Sequence, residues 1–135
     1  MEYEGNKCFL LASKNYEFAL NILETEKHYD WVVIILFYSA LMFAKTLFEI
    51  RSWETPQAHQ DKYDNGGSIV RIGMNSAVMQ KVGKDVGYDY ITLYKASRKY
   101  RYFPNDALNI DKTAIKQYIF YFKRFKTKII QELNK

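Results

Sequence analysis

The chain has 135 residues, of which 48% are hydrophobic, and its net charge is +5 at pH 7. This length fits one domain, and the composition excludes a disordered or low-complexity chain. A single cysteine excludes an internal disulfide and a cysteine-based metal cluster. We therefore expect one globular domain over residues 1–135.

The first two predicted helices follow each other closely. Residues 7–24 carry apolar side chains at spacings of three and four, which indicates an amphipathic helix with Cys8 as a small buried residue. Residues 31–50 are almost wholly apolar through Ala44, and Asp30 is the expected N-cap. A bilayer-spanning helix needs roughly 20 mainly apolar residues, and this run is shorter. We interpret it as the buried central helix.

The middle of the chain lacks a sustained apolar period. Residues 51–68 contain Pro56 and the pair Gly66-Gly67, which predicts a long connection. A connection of this length in a compact domain is usually functional or mobile. After it, Ser68 is the expected cap of a weak helix over residues 69–82.

Two further helices are predicted, each after an aspartate. Gly83 and Gly87 interrupt the chain, and Asp89 is expected to cap a helix over residues 90–103 that ends before Pro104. A turn over residues 105–110 follows, and Asp111 is expected to cap a last helix with a long apolar stripe. No strand pattern of useful length is present. The predicted fold is an all-α antiparallel four-helix bundle with an additional short helix.

Basic side chains are concentrated in the last third of the chain. Residues 95–135 carry eleven Lys or Arg and three acidic residues, a net charge of +8, whereas the first 94 residues carry −3. Such asymmetry is typical of a protein that binds a polyanion, and a solvated basic helix face has the same pattern.

The strongest local motif is the run YKASRKYRYF from Tyr94 to Phe103. Arg98 and Arg101 lie three positions apart, so both can lie on one helix face. Guanidinium groups bind phosphate through paired donors, and neighbouring tyrosines can stack on unpaired bases. The alternative is a helix end whose basic residues complement the helix dipole. The predicted nucleic-acid-binding residues are Arg98, Lys99, Arg101, Tyr102, Lys123, Arg124 and Lys126.

The two histidines, His28 and His59, both lie in predicted connections. The sequence contains no metal-spaced cluster of His and Asp, no phosphate-binding glycine loop and no nucleophile elbow. We therefore predict no metal and no cofactor. An exposed loop position or a capping hydrogen bond is the expected role of each histidine.

The succession HYDWVVIILFYSALMFAKTLFE, PQAHQDK and YDYITLYKASRKYRYF resembles the HEPN superfamily of prokaryotic helical-bundle proteins. The resemblance covers most of the chain and rests on pattern and order. It implies an antiparallel bundle, often a homodimer, in a family that includes RNases, toxins and defence components. Active members carry an arginine and a histidine separated by four to six residues. Counted from Arg98 or from Arg101, this chain has no histidine at those positions.

The resemblance therefore implies a divergent, noncatalytic member. Separately, the N-terminal residues MEYEGNK are acidic and lack the features of a secretory signal, so we expect a cytoplasmic protein that does not contact a membrane. It would bind RNA or a nucleic-acid-associated partner through the basic C-terminal surface. Two alternatives stay open. One is a metal-independent endoribonuclease in which Arg98 or Arg101 orients phosphate and His59 acts as a displaced base. The other is a protein-interaction module in a defence or toxin–antitoxin system.

Overall fold

Most of the chain is helical in the computed structural model, which describes residues 2–135. Its α-helices are α1 Lys7–Glu24, α2 Tyr29–Ile50, α3 Met74–Lys81, α4 Lys84–Tyr102, α5 Pro104–Leu108 and α6 Lys112–Leu133. A 3₁₀ helix, Glu2–Gly5, precedes α1, and a small antiparallel hairpin of β1 Lys62–Tyr63 and β2 Ile69–Arg71 precedes α3. The prediction of an all-α helical bundle is confirmed.

Helix α2 is the central element, and it packs against α1, α4 and α6. By length and composition it is the one helix within residues 2–135 that could cross a bilayer, so the prediction that the run is too short was wrong. However, 72% of its most apolar window is buried inside the protein. This burial favours the interpretation as a core helix, although Trp31 at its start is 53% exposed.

Helices α1 and α2 approach each other closely because small residues line their contact. Ala12 has no exposed surface, and the Ser39 hydroxyl donates a 2.7 Å hydrogen bond to the Ala12 carbonyl. Asn6, which caps α1, donates at 2.9 Å to the carboxylate of Glu49. Because Asn6 meets Glu49 and Ala12 meets Ser39, the two helices run in opposite directions.

Helices α4 and α6 also run in opposite directions, and polar contacts join them at both ends. The hydroxyls of Tyr100 and Tyr118 lie 3.2 Å apart. Farther along, Arg124 donates to both carboxylate oxygens of Asp89 at 2.6 Å. The predicted apolar stripe of α6 supplies buried residues to the core: Ile115, Phe122, Phe125, Ile129 and Leu133.

The helix starts differ from the predicted caps at several positions. Helix α2 begins after His28, whose backbone is left-handed with φ of 57°, and Asp30 lies in its first turn. Helix α4 begins at Lys84, so Asp89 is a buried residue within the helix and not its cap. Asp111 does cap α6, because its carboxylate accepts the N–H of Ala114 at 2.8 Å.

The glycine-rich and proline-rich segments also differ from the prediction. Residues 69–71 form a strand and not the start of a helix, so α3 begins only after Gly73, and Ser68 is not its cap. Gly87 lies inside α4, where a side chain would press on Met79. The predicted turn over residues 105–110 contains the short helix α5, with Pro104 at its first position.

The environment of Cys8 is more polar than the sequence indicated. The thiol is partly exposed, and its Sγ donates to the Glu49 carboxylate at 3.5 Å. Burial raises the pKa of Cys8, and the hydrogen bond and negative charge of Glu49 raise it further. The prediction of a small buried apolar residue was therefore wrong, because the thiol is only partly buried and contacts a carboxylate. The raised pKa keeps the thiol protonated at neutral pH.

Candidate nucleic-acid interface

Arg98 and Arg101 lie near the end of α4, each beside a tyrosine. Arg98 Nη1 donates to the Tyr94 hydroxyl at 3.2 Å, and Arg101 Nη1 donates to the Tyr38 hydroxyl of α2 at 3.0 Å. The Tyr102 ring is 62% exposed, and its centroid lies 5.7 and 5.2 Å from the two guanidinium carbons. We name these five residues the arginine–tyrosine cluster.

Both guanidinium groups of the cluster lack a carboxylate partner among the residues that the structure describes. Neither Arg98 nor Arg101 forms an ion pair with any acidic side chain of residues 2–135. The hydrogen bond to Tyr94 raises the pKa of Arg98, so this side chain stays charged. A guanidinium has five N–H donors. Donors therefore remain for the oxygens of a phosphate group.

His59 joins the cluster from the connection that follows α2. Its ring centroid lies 5.1 Å from that of Tyr94 and 5.6 Å from that of Phe37. Its Nδ1 is buried and has no hydrogen-bond partner among the described residues. His59 and Arg98 thus both contact Tyr94, and no hydrogen bond joins the histidine to either arginine within the part of the chain that the structure describes.

The charge state of His59 follows from these neighbours. Partial burial lowers the pKa of His59, and the positive charges of Arg101, Lys45 and Arg98 lower it further. The ordinary pKa of histidine is about 6.5. The imidazole of His59 is therefore neutral at pH 7, in the form that can accept a proton.

Stability is expected to fall as the pH decreases below about 6.5, in part because of His59. Its pKa is lower in the folded protein than in the unfolded chain, so the unfolded chain takes up the proton first. Above the ordinary pKa both states are neutral and His59 contributes no pH dependence. Urea denaturation at pH 7.5 and 5.0 measures the free energy of unfolding at each pH. The decrease in this free energy from pH 7.5 to pH 5.0 should be smaller for His59→Gln than for the wild type. An equal loss in the two proteins would contradict this assignment.

The start of α3 holds the backbone at His59. The N–H groups of Met74 and Asn75 donate to the carbonyls of Ala58 and His59 at 2.8 and 2.9 Å. The first N–H groups of a helix have no partner within the helix, so they are available to the preceding segment. The histidine is therefore placed by a contact with α3 that no local pattern in residues 51–68 encodes.

Asp61 and Gly73 also hold the segment that carries His59 against the start of α3. The Asp61 carboxylate accepts the Gly73 N–H at 2.7 Å and the Ser76 hydroxyl at 2.8 Å. A Cβ atom on Gly73 would collide with backbone atoms of Gln60 and His59. Only glycine therefore fits at this position without a shift of the segment that carries the histidine.

Gly73→Ala is expected to lower the free energy of unfolding by roughly 1–3 kcal/mol, because the added methyl group forces the backbone of residues 59–60 to move. The opposing gain from a stiffer unfolded chain is smaller, about 0.4–1 kcal/mol. Urea denaturation measures the difference. Gly66→Ala is the matched control, since its Cβ would make only an ordinary contact, at 3.5 Å to Asp64 Oδ1. Equal stability of the two variants would refute the expected clash.

Lys126 lies on another side of the bundle. Its Nζ is 4.4 Å from the Tyr16 ring centroid and 5.7 Å from that of Phe43. Burial lowers the pKa of Lys126, and the charge of Lys123 lowers it further. On α2, Phe43 follows Tyr38 by five positions, which is a rotation of about 140° around the helix axis. Lys126 and the arginine–tyrosine cluster therefore contact different sides of α2.

The other predicted binding residues also differ in their surroundings. Arg124 is paired with Asp89, whose side chain is only 4% exposed, so this arginine neutralises a buried charge. Lys99 is exposed, with its Nζ 5.7 Å from the Tyr100 ring centroid, and Lys123 is exposed on α6. The structure thus groups Arg98, Arg101 and Tyr102 and separates them from Arg124 and Lys126 of α6.

No family model, curated protein or solved structure matches this chain. The resemblance to the HEPN superfamily therefore stays a prediction. Within residues 2–135 no group of three or more His, Cys, Asp or Glu side chains is placed to hold a metal ion. The chemistry open to the site is that of its cations, its tyrosines and a neutral histidine.

Proposed function

We propose that this protein is a cytoplasmic, noncatalytic HEPN-like domain that binds single-stranded RNA through Arg98, Arg101 and Tyr102. The observation that supports it is the pair of guanidinium groups beside an exposed tyrosine ring, neither of which is paired with a carboxylate of residues 2–135. Phosphate is the natural partner of such cations, and an unpaired base can stack on the ring. Lys99, next to Arg98 in the chain, adds charge at the rim.

The dependence of affinity on salt tests this proposal. Fluorescence anisotropy with a labelled single-stranded oligoribonucleotide should give a dissociation constant that rises steeply with salt concentration. For single strands, each phosphate contact contributes a slope of about −0.7 in a plot of log affinity against log salt. Arg98→Gln plus Arg101→Gln should therefore make the slope shallower by about 1.4. The proposal would be wrong if the wild type did not bind RNA at low salt, or if the double variant had the same slope as the wild type.

The lysines of α6 have a secondary part in this proposal. Lys123 and Lys126 lie on the side where α6 meets α1, away from the arginine pair. Lys123→Gln plus Lys126→Gln should therefore weaken RNA binding less than loss of the two arginines. A larger effect of the lysine variant would move the interface to the groove between α1 and α6.

A metal-independent ribonuclease is the second candidate, and the position of His59 favours it. The neutral imidazole contacts Tyr94, which also receives the hydrogen bond from Arg98. In this reading Arg98 or Arg101 orients the phosphate, and His59 accepts the proton of the attacking 2′-hydroxyl. A general base must lie within hydrogen-bond reach of that proton in the bound complex.

A cleavage assay in the presence of a metal chelator separates the two functions. The ribonuclease predicts product from single-stranded RNA, with loss of product in His59→Ala and in Arg98→Ala. His28→Ala is the matched control, because His28 lies at the start of α2 and has no part in the cluster. No cleavage by the wild type, or cleavage that survives His59→Ala, removes this candidate.

The proposed protein is a homodimer. The surface of α1 and α2 exposes large apolar side chains, which suits contact with a second copy or with another protein. Leu11, Phe18 and Trp31 are large apolar residues that are 44%, 55% and 53% exposed. We place a second copy of the chain against them. Light scattering after size exclusion should give twice the monomer mass, and Phe18→Glu plus Trp31→Glu should give the monomer. A monomeric wild type would instead favour a module that meets a different protein in a defence or toxin–antitoxin system.

A further inference from the structure

A cavity of about 760 Å³ lies between the end of α2, residues 52–57, β2 and α3. Ligand sites in proteins typically occupy about 300–1,000 Å³, so this volume suits a small molecule or the end of a peptide. None of its lining residues belongs to the arginine–tyrosine cluster. The cavity is therefore separate from the proposed RNA interface, and binding there does not depend on that proposal.

Trp53 forms an aromatic wall of this cavity, and the end of α2 fixes its position. The Trp53 N–H donates to the Phe48 carbonyl at 2.8 Å, and the Ser52 N–H donates to the carbonyl of residue 49 at 3.1 Å. Together with the left-handed φ of 57° at Ser52, these two bonds form a Schellman motif. The rings of Trp53 and Phe48 meet edge to face at 5.5 Å, which is the apolar contact that usually accompanies this motif. The indole is therefore held in place before any ligand binds.

The surface beside the indole is apolar. Phe48, Ile72 and Ala77 line the cavity together with Trp53. Phe48 and Ala77 are buried, whereas Ile72 is 37% exposed. A flat apolar group in the cavity would remove the surface of Ile72 and Trp53 from water, and an aromatic group would also gain from offset stacking on the indole. An aromatic ring is therefore the ligand body that suits this wall.

The charged side chains of the lining suit an anion of low charge. Arg71 and Lys81 are positive and Glu54 is negative, so two positive charges and one negative charge border the cavity. Neither cation forms an ion pair within residues 2–135. A carboxylate carries one negative charge, whereas a phosphate monoester carries about −1.5 to −2 at pH 7. The excess of one positive charge therefore matches a carboxylate better than a phosphate.

We propose that this cavity binds an aromatic monocarboxylate. Arg71 and Lys81 hold the carboxylate, because a guanidinium and an ammonium group both donate charge-assisted hydrogen bonds to its oxygens. Lys81 Nζ lies 5.1 Å from the centroid of the Trp53 ring, so a carboxylate bound to it brings an attached aromatic ring against the indole. Glu54 repels anions of higher charge and so adds selectivity. A free aromatic acid and a peptide that ends in phenylalanine both present this ring and this carboxylate.

Heteronuclear NMR of the whole chain tests the proposal, because the chain has 2 tryptophans and each gives one indole N–H signal. Benzoate or hydrocinnamate should shift the Trp53 signal in a saturable way and leave the Trp31 signal in place. Trp31→Phe assigns the two signals. Cyclohexanecarboxylate, which cannot stack, should bind about 2–12-fold more weakly than benzoate. Benzamide, which lacks the charge, should bind more weakly than benzoate by about 10-fold or more.

Charge variants at exposed positions show which side chains bind the acid. Arg71→Gln plus Lys81→Gln should weaken its binding by about 10-fold or more. Lys7→Gln plus Lys14→Gln, which removes equal charge from α1, should keep the affinity. Glu54→Gln should strengthen binding by up to about 5-fold, because it removes an exposed charge of the same sign as the ligand.

The peptide Gly-Gly-Phe distinguishes the two sources of the acid. Tighter binding of this peptide than of hydrocinnamate supports the proposal with a chain terminus as the ligand, and the reverse order supports it with a free acid. The proposal is overturned if no acid shifts the Trp53 signal in a saturable way, or if the Arg71 and Lys81 substitutions leave binding unchanged. Tighter binding of AMP than of every acid also overturns it, because the two cations would then serve a phosphate.

Discussion

Arg98→Glu plus Arg101→Glu is expected to abolish measurable RNA binding at physiological salt. Each charge-assisted hydrogen bond contributes about 1.5–3 kcal/mol, so the loss of two contacts alone weakens binding by roughly 10²–10⁴-fold. The new carboxylates also repel phosphate. Anisotropy titration at two salt concentrations measures the effect. Both side chains are exposed, so the fold should be retained, and far-UV circular dichroism checks this.

Two further variants make this result specific to the arginine pair. Lys7→Glu plus Lys14→Glu changes the net charge equally at exposed positions of α1 and should leave most of the affinity intact. Arg98→Lys plus Arg101→Lys keeps the charge and loses the planar donor pair, so an intermediate affinity is expected. Equal weakening by the α1 variant would show that only the overall charge attracts RNA, and the proposed interface would then be wrong.

Phe37→Ala is expected to lower the free energy of unfolding by about 3–5 kcal/mol. Phe37 has no exposed surface, and its ring centroid lies 5.5–5.6 Å from those of Tyr38, His59, Tyr90 and Tyr94. Truncation removes these contacts and leaves a cavity at the centre of the fold. The free energy of unfolding of a domain is typically only 5–15 kcal/mol, so this substitution should remove a large fraction of it. Urea denaturation measures the loss.

Two substitutions bracket the expected loss for Phe37. Phe37→Leu removes less volume from the same site and should cost less than Phe37→Ala. Phe120→Ala truncates a phenylalanine of α6 that is 56% exposed, so its effect should be small. A loss at Phe37 no larger than that at Phe120 would show that the aromatic contacts around α2 do not stabilise the fold.

The long helices could be predicted because each carries its own periodic signal. The apolar run of α2 and the stripe of α6 are set by side chains within the element itself. The starts of α2 and α4 could not be placed, because His28 and Gly83 adopt conformations that no side-chain cap specifies. The hairpin was missed because its strands are only two and three residues long, too short for an alternating pattern.

In the candidate site, too, residues close together in the sequence could be grouped, whereas contacts between distant segments could not be predicted. Arg98, Arg101 and Tyr102 lie within one helical turn, so the sequence grouped them directly. Contacts that join distant segments left no pattern in the chain, such as Arg101 with Tyr38 and Arg124 with Asp89. The sequence indicated a functional role for His59 only through the family resemblance. Its position beside the cluster depends on hydrogen bonds from the start of α3, which the local sequence does not reveal.

The burial of α2 also constrains how the protein is made. Helix α1 emerges from the ribosome before α2 and can cover one of its sides at once, but α6 begins about 60 residues after α2 ends. At roughly 5–20 residues per second, synthesis of that segment takes about 3–12 s. During this interval a helix apolar enough to enter a bilayer is only partly covered. The nascent chain is therefore at its most vulnerable to aggregation and to capture by the membrane-insertion machinery at this stage, and chaperone binding there should increase its yield.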